Sequence, residues 1–121
     1  MKILSINIWG FEGLSKQKAL ISLFSDLNPD MILLEETMCN YYQSLLMSSR
    51  FKLGWELCDV DASWLSGDLL VGWNPLCVCC QAFSSFAGIF LKSHIKGLSK
   101  ILTIFNCYGP YSQRTTFWDN V

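Results

Sequence analysis

The sequence predicts an α/β fold in which helices flank a largely mixed β-sheet. The first observation is a strand–helix–strand unit at the start of the chain, over residues 2–34. The second is that most of the remaining apolar segments are short, which is typical of strands, and few show helical periodicity. The third is composition: hydrophobic residues make up 51% of the chain and charged residues 16%, so much of the chain should be buried.

The opening unit is defined by its periodicity and its turn. Residues 2–9 are short, apolar and rich in β-branched side chains, which predicts a strand that ends at a glycine. Leucine and phenylalanine recur at helical spacing over residues 15–27, and Ser15 is the expected N-cap. An Asn-Pro-Asp turn at 28–30 ends this helix, and residues 31–34 form the next strand. Such a unit predicts a crossover between two parallel strands.

The rest of the chain predicts mainly strands. The predicted elements are a short helix over residues 40–49, strands over residues 55–58, 69–73, 77–83, 86–91 and 101–108, and a helix over residues 114–121. Residues 69–91 carry no charge and are long enough to span a bilayer, so a transmembrane helix is the alternative there. The Asn74-Pro75 turn signal and the polar Gln81 favour two buried strands instead, and we expect no membrane partner.

The number and distribution of charged residues bear on whether the chain binds DNA tightly and nonspecifically. The formal net charge is −1, which lacks the basic excess typical of tight, nonspecific DNA binding. The charges are nevertheless sorted, with an acidic stretch over residues 56–68 and a basic stretch that contains Lys92, Lys96 and Lys100. We interpret these as solvated loop charges in preference to a binding patch.

The six cysteines raise the question of a disulfide scaffold or a metal site. Polar residues break the first apolar run, so we expect no signal peptide and an intracellular location, nuclear or cytoplasmic, rather than secretion. Cys77, Cys79 and Cys80, together with His94, could be read as a zinc site, but their spacing matches no zinc finger or ribbon. We predict buried free thiols instead.

Three polar residues fall at the ends of predicted strands and form the candidate site. In the first strand Asn7 lies on the face opposite Ile6, and in the second Glu36 shares a face with Leu34 at the carboxyl end. If the two strands are parallel neighbours, both residues emerge at one sheet edge, where α/β sheets generally bind ligands. Tyr108 also ends an apolar strand. Carboxylate and amide oxygens are hard ligands that suit Mg²⁺ or Mn²⁺.

Each of these residues also has a structural interpretation. Asn7 could bond the turn that follows its strand, and Glu36 could be a helix-start acid with Glu35 in solvent. Tyr108 could be an ordinary core tyrosine. The pattern of residues alone leaves these alternatives open.

Five segments of the chain resemble, in order, the motifs of the endonuclease/exonuclease/phosphatase superfamily, whose fold is DNase-I-like. Residues 2–10 are similar to the opening K-I-x-S-W-N-x-R-G strand, and residues 28–37 to the N-P-D-I-x-x-L-Q-E-T motif. Residues 69–74 resemble a G-G-L-L-x-x-W segment, residues 106–111 the N-x-Y-G-P motif, and residues 114–119 the R-x-x-F-W helix that follows it. The most similar branch is the endonuclease domain of plant non-LTR retrotransposons of the long-interspersed type.

The resemblance implies a metal-dependent phosphodiester hydrolase. It assigns metal binding to Glu36 and Asn7, and a catalytic role in placing the phosphate to Asn7 and Tyr108. It implies Mg²⁺ or Mn²⁺ as cofactor, bound weakly here, and the DNA phosphate backbone as partner in the intact family. The implied fold is the N-terminal half of a four-layer α/β sandwich, so that residues 1–121 form a truncated domain without its C-terminal catalytic half.

Departures from the motifs limit what the resemblance implies for activity. Ile6 stands where tryptophan is usual, Trp9 where arginine is usual, and Asp68 where the second glycine of G-G-L-L is usual. The later G-D-F-N and S-D-H motifs, which supply the general base, have no counterpart. We therefore expect a hydrolase remnant that is inactive as an isolated chain. The alternatives are a non-enzymatic binding fragment, an unexpressed pseudogene product, or a relative of the inositol-phosphate and lipid phosphatases.

Overall fold

The computed structural model describes residues 1–10, 13–38, 54–60, 68–85, 87–107, 109 and 114–120, and they form two β-sheets with two helices. The elements are β1 (Ile3–Asn7), α1 (Leu14–Leu27), β2 (Met31–Glu35), β3 (Glu56–Val60), β4 (Leu69–Trp73), β5 (Val78–Ser85), β6 (Gly88–Ile95), β7 (Ile101–Cys107) and α2 (Arg114–Asp119). This is the α/β class that the sequence predicts. The helix predicted over residues 40–49 lies outside the described residues.

Sheet A contains the first four strands in the order β1-β2-β4-β3. The β1 and β2 strands pair in parallel, and the β2–β4 and β4–β3 pairs are antiparallel. The strand–helix–strand prediction is therefore confirmed, and the sheet is mixed as predicted. The carboxyl end of β2 pairs on one side with the carboxyl end of β1, through Asn7 and Glu35, and on the other with the start of β4, through Glu35 and Leu69.

Sheet B is an antiparallel meander of β5, β6 and β7. The sequence predicted that β6 would end at residue 91, but the strand continues to Ile95. The physical reason is alternation: Lys92 and His94 are exposed while Ser93 is fully buried, so the second half of the strand presents polar groups to solvent. The segment of residues 69–91 forms β4, a turn and the start of the meander, as the strand interpretation predicts. Within the described residues, neither helix has the length and apolarity that crossing a membrane requires.

Two apolar clusters hold the layers together. On one side of sheet A, α1 places Leu20 and Phe24 against Ile32, Leu34 and Leu70. On the other side, the inner faces of the two sheets meet, and the buried residues of this second cluster are Met31, Leu33, Leu69, Val71, Trp73, Val78, Ile89 and Leu91. Burial of each large aliphatic or aromatic side chain contributes about 1.5–3 kcal/mol. The strands β2 and β4 are thus buried on both faces.

The ends of α1 are set by backbone geometry more than by side-chain caps. The N-cap is Gly13, with φ of 101°, and no side-chain capping bond is present, so the prediction of Ser15 as N-cap is wrong. Ser15 lies inside the first turn, because the helix begins one residue before it. At the other end Asn28 adopts a left-handed conformation, and its N–H donates to the Phe24 carbonyl at 2.9 Å. The predicted stop at this Asn-Pro-Asp turn is confirmed.

Candidate functional site

The first and second strands bring two of the predicted site residues to one edge of sheet A. Asn7 is the last residue of β1, and Glu36 directly follows the last residue of β2. Parallel pairing continues past both strands, because the Ile8 N–H donates to the Glu35 carbonyl at 3.0 Å and the Gly10 N–H to the Glu36 carbonyl at 2.6 Å. The backbone hydrogen bonds therefore fix the position of Glu36 relative to the end of β1. This edge, at the carboxyl ends of β1 and β2, is called the carboxyl edge below.

The backbone at the carboxyl edge is held in an unfavourable conformation. Glu36 has a φ of 54°, Met38 a φ of 51° and Trp9 a φ of 46°. Left-handed backbone costs a side-chain-bearing residue roughly 1–2 kcal/mol, so packing and hydrogen bonds around the edge must offset this strain. Of the four non-glycine residues with positive φ among the described ones, three lie here, and the fourth is the helix-capping Asn28. Such clustering is typical of sites whose geometry is constrained by function.

Two further acidic residues, Glu35 and Asp68, lie near Glu36. Its own side chain is 3% exposed, and Asp68, which immediately precedes β4, is 7% exposed. The Thr37 N–H donates to the Asp68 carbonyl at 3.2 Å, which ties the two acidic segments together. Burial raises the pKa of the half-buried Glu35 carboxyl, and the negative charge of Glu36 raises it further. Three acidic residues thus lie close together at the carboxyl edge, and the Lys16 ammonium group lies beside them, where it donates to the Trp9 carbonyl at 2.8 Å.

Asn7 lies where the candidate site requires it, and it also makes the turn hydrogen bond that its structural interpretation predicts. Its side chain is exposed, and its Oδ1 accepts a hydrogen bond from the Trp9 N–H at 3.2 Å. This is the local turn bond that the sequence left open as an alternative. An amide oxygen has a second lone pair, so the turn bond does not prevent Asn7 from binding a cation.

A residue that the sequence did not single out lies beside this edge. Asn106, in β7, is 2% exposed, and its Nδ2 donates to the carbonyl of Leu34 in β2 at 3.4 Å. This bond crosses from sheet B to sheet A, and it places the end of β7 against the carboxyl edge. Strand alternation could have found Asn106, since it is a polar residue on the inward face of an apolar strand. Tyr108, the third predicted site residue, lies outside the described residues.

The histidine and the Cys77, Cys79 and Cys80 group lie away from the carboxyl edge, whereas Cys107 lies near it, where burial and the negative charge of Glu35 raise the pKa of its thiol. His94 is exposed, and it pairs with Cys79 in β5 and with Ile101 in β7. It lies six residues along β6 from Gly88, so roughly 20 Å separates His94 from the end of that strand near the carboxyl edge. The five described cysteines are free, as predicted. The prediction that they are buried is wrong for these five: Cys79 is exposed, because it alternates with the inward-facing Val78, and the other four are half-buried.

The donor atoms at the carboxyl edge fit a hard divalent cation in type. Glu36 supplies carboxylate oxygens and Asn7 an amide oxygen, and neither is a soft ligand. Among the residues that the structure describes, however, no group of three or more histidine, cysteine, aspartate or glutamate side chains is arranged to hold a metal ion. The described ligand set is therefore thin, and waters would have to supply most of the six ligands of Mg²⁺.

Comparisons with known proteins agree on the fold. No protein-family profile matches the chain, and no curated protein sequence matches it. Solved structures do match: the catalytic domain of human Nocturnin with a bound sulfate anion has 15% sequence identity and a TM-score of 0.61. A humanized D. rerio TDP2 with 14 mutations has 16% identity and a TM-score of 0.60. The AP endonuclease LMAP from Leishmania major has 19% identity and a TM-score of 0.61.

These matches cover most of this chain but only part of each solved structure. They cover 85%, 85% and 88% of this chain, and 48%, 44% and 39% of Nocturnin, TDP2 and the AP endonuclease respectively. The chain thus spans less than half the length of each of these structures. At these identities the likeness shows the fold alone. The chain has the DNase-I-like fold, over the part of that fold that it spans.

Proposed function

We propose that this chain is the N-terminal part of a divalent-metal-dependent phosphodiester hydrolase domain of the retrotransposon DNA-endonuclease type, and that the isolated chain does not cleave DNA. The observation that carries this proposal is Glu36. It is a buried carboxylate directly after a parallel strand, beside the end of the neighbouring strand. The DNase-I-like fold and the order of the sequence motifs support the same assignment.

The proposed roles follow from the chemistry of each side chain. Glu36 would hold Mg²⁺ or Mn²⁺, with Asn7 as a second oxygen ligand, and Tyr108 would orient the phosphate. A bound divalent cation would neutralise the negative charge that develops on phosphate and leaving oxygen. The buried position of Glu36 limits the movement of its carboxylate, which favours binding of a cation in one defined place.

The proposed lack of activity rests on the general base, because no histidine lies near Glu36 among the described residues. His94 is the only histidine in the chain, and it lies roughly 20 Å along β6 from the end of that strand near the carboxyl edge. Glu35 is the acid next to Glu36, and as the neighbouring residue along the chain it is expected to point to the opposite face of the sheet. Loss of an acid–base partner alone removes about a hundred- to ten-thousandfold in rate.

The test is a nicking assay on supercoiled plasmid with the purified chain in Mg²⁺ or Mn²⁺. We expect the plasmid to stay supercoiled, and Glu36→Ala to behave as the unmodified chain does. Asp26→Ala, at an exposed position on α1, is the matched control. Nicking that disappears in Glu36→Ala but persists in Asp26→Ala would contradict the proposed inactivity.

A second candidate function is favoured by one observation. The outward face of sheet B exposes large apolar side chains, among them Phe83 and Phe90. A non-enzymatic binding fragment would use such a face, whereas hydrolysis at the carboxyl edge does not require it.

A further inference from the structure

The end of β7 is the part of sheet B that lies against the carboxyl edge of sheet A. Asn106 is 2% exposed there, and its Nδ2 donates to the carbonyl of Leu34, two residues before Glu36, at 3.4 Å. Cys107 follows in β7, and burial together with the negative charge of Glu35 raises the pKa of its thiol. Two consecutive residues of β7 are therefore close to the end of β2.

Close packing against β6 holds Asn106 in this position. Gly88, the first residue of β6, pairs with Cys107 and has a φ of 150°. A Cβ atom at Gly88 would collide with the backbone carbonyl oxygen of Asn106 and would lie 3.0 Å from the Cys107 Cα, so only glycine fits here. The hydrogen bond to Leu34 is long at 3.4 Å, and the position of Asn106 therefore depends on this packing as well as on the bond.

We propose that Asn106 is a positioning residue for the cation site at the carboxyl edge. It holds the end of β2 against the end of β7, so that the Glu36 carboxylate keeps the place from which it binds a divalent cation. Asn106 acts through the backbone of Leu34 and is not itself a ligand. The inference rests on the cation site proposed above, and it extends that site from sheet A to sheet B.

The place of Asn106 in the chain gives it a second effect. The strand that carries Asn106 leads directly to Tyr108, which we propose orients the phosphate. One hydrogen bond thus joins the strand before the proposed cation ligand to the strand before the proposed phosphate-orienting residue. A shift of either strand would change the separation of these two groups, and a phosphate is placed on a cation only when that separation is held closely.

A purely structural role for Asn106 makes a different prediction. A buried hydrogen bond that only stabilises the fold changes the fraction of unfolded chain, and it leaves the cation affinity of the folded molecules unchanged. A positioning residue changes that affinity itself, and loss of a group that orients a metal ligand typically costs about 10–100-fold. The Mn²⁺ affinity of the folded chain therefore separates the two roles.

The experiment is a Mn²⁺ titration of the isotope-labelled chain, read from the paramagnetic broadening of the Glu36 and Thr37 amide signals at a temperature where each variant is folded. Asn106→Leu keeps roughly the same side-chain volume and removes the donor, and it should raise the Mn²⁺ concentration at half-broadening about 10–100-fold. Asn106→Ser keeps a hydroxyl donor on a shorter side chain, so its rise should be smaller. It decides the question by itself if Asn106→Leu does not fold.

The matched control is Ser93→Ala, which removes a fully buried hydroxyl 3.2 Å from the Cys80 sulfur, five residues along β6 from Gly88. It should lower stability and leave the Mn²⁺ titration unchanged. A rise in the Asn106 variants without a change in this control supports the proposal. Asn106 variants that titrate like the unmodified chain, or an equal rise in Ser93→Ala, would overturn it and leave the cation site in place. Absence of broadening at Glu36 in the unmodified chain would overturn the cation site, and this proposal with it.

Discussion

The two sheets of this protein differ most in what covers their outward faces. Sheet A is covered by α1, which buries Leu20 and Phe24 against it, so its central strands β2 and β4 are buried on both sides. In sheet B the outward face exposes Phe83, Phe90 and Ile101. The difference is also electrostatic, because buried Glu36 and Asp68 flank sheet A whereas the strands of sheet B carry no acidic residue.

The burial patterns of the strands account for this contrast between the two sheets. The apolar residues of β2 and β4 form continuous runs, which is the pattern of a strand buried on both faces. In β5 and β6 buried and exposed residues alternate, which is the pattern of a sheet with one solvent-facing side. The solvent-facing side nevertheless carries phenylalanine and isoleucine, so it resembles an interaction surface more than an ordinary polar face.

The largest expected effect compares two phenylalanines in the two regions. Phe24 is 1% exposed under α1, so Phe24→Ala should lower the free energy of unfolding by about 3–5 kcal/mol through lost burial and a cavity. Phe83→Ala, on the open face of sheet B, should lower it by less than about 1 kcal/mol. Urea unfolding followed by circular dichroism measures both. Similar losses in the two variants would mean that the outward face of sheet B is covered in solution.

An intermediate effect is expected where the two sheets are joined by a side-chain hydrogen bond. Asn106→Ala removes the buried donor to the Leu34 carbonyl and should cost about 1–3 kcal/mol of unfolding free energy. Asn120→Ala removes a bond of the same type to the Thr116 carbonyl, but at an exposed position, and should cost much less. If the two variants unfold at the same urea concentration, Asn106 does not hold the sheets together.

The smallest expected effect on the free energy of unfolding concerns Asp30, just before β2, and it depends on pH. The Lys2 backbone N–H donates to the Asp30 carboxylate at 2.8 Å, and this bond lowers the pKa of Asp30 below its ordinary 3.8. The folded state therefore releases the Asp30 proton more readily than the unfolded state does. The resulting stabilisation is present above the unfolded pKa and is lost as pH falls through the folded pKa.

Asp30→Ala should accordingly lower stability at neutral pH, and its deficit should shrink as the pH drops below about 3.8. Urea unfolding of variant and unmodified chain across pH 3 to 7, at about one-unit steps, checks this sign. Asp26→Ala is the control on the exposed side of α1. A deficit that grows toward acid pH would contradict the direction of the pKa shift.

The sequence predicts the carboxyl edge better than it predicts the surfaces around it. The first strand, the turn at 28–30 and the second strand all depend on local patterns, and the parallel pairing of Asn7 beside Glu35 follows from them. The bond from Asn106 to Leu34 joins residues 72 positions apart, so no local pattern contains it. The exposure of Cys79 likewise depends on what covers sheet B.

The start of α1 shows the same limit at shorter range. Serine is a common N-cap, and the pattern therefore favoured Ser15. The helix begins at Leu14 instead, after Gly13, whose φ of 101° is open to glycine and rarely adopted by other residues. No sequence pattern predicts the left-handed backbone at Glu36 either, because it accompanies hydrogen bonds to residues distant in sequence, such as the bond from the Gly10 N–H to the Glu36 carbonyl.

The central claim, that the carboxyl edge of sheet A is a cation site, is tested most directly by Mn²⁺ titration of the isotope-labelled chain in NMR. Paramagnetic broadening should appear first in the backbone amide signals of Asn7, Ile8, Glu36 and Thr37. It should be lost in Glu36→Gln and kept in Asp26→Asn. Broadening that begins elsewhere in the chain, or that survives Glu36→Gln unchanged, would contradict the assignment.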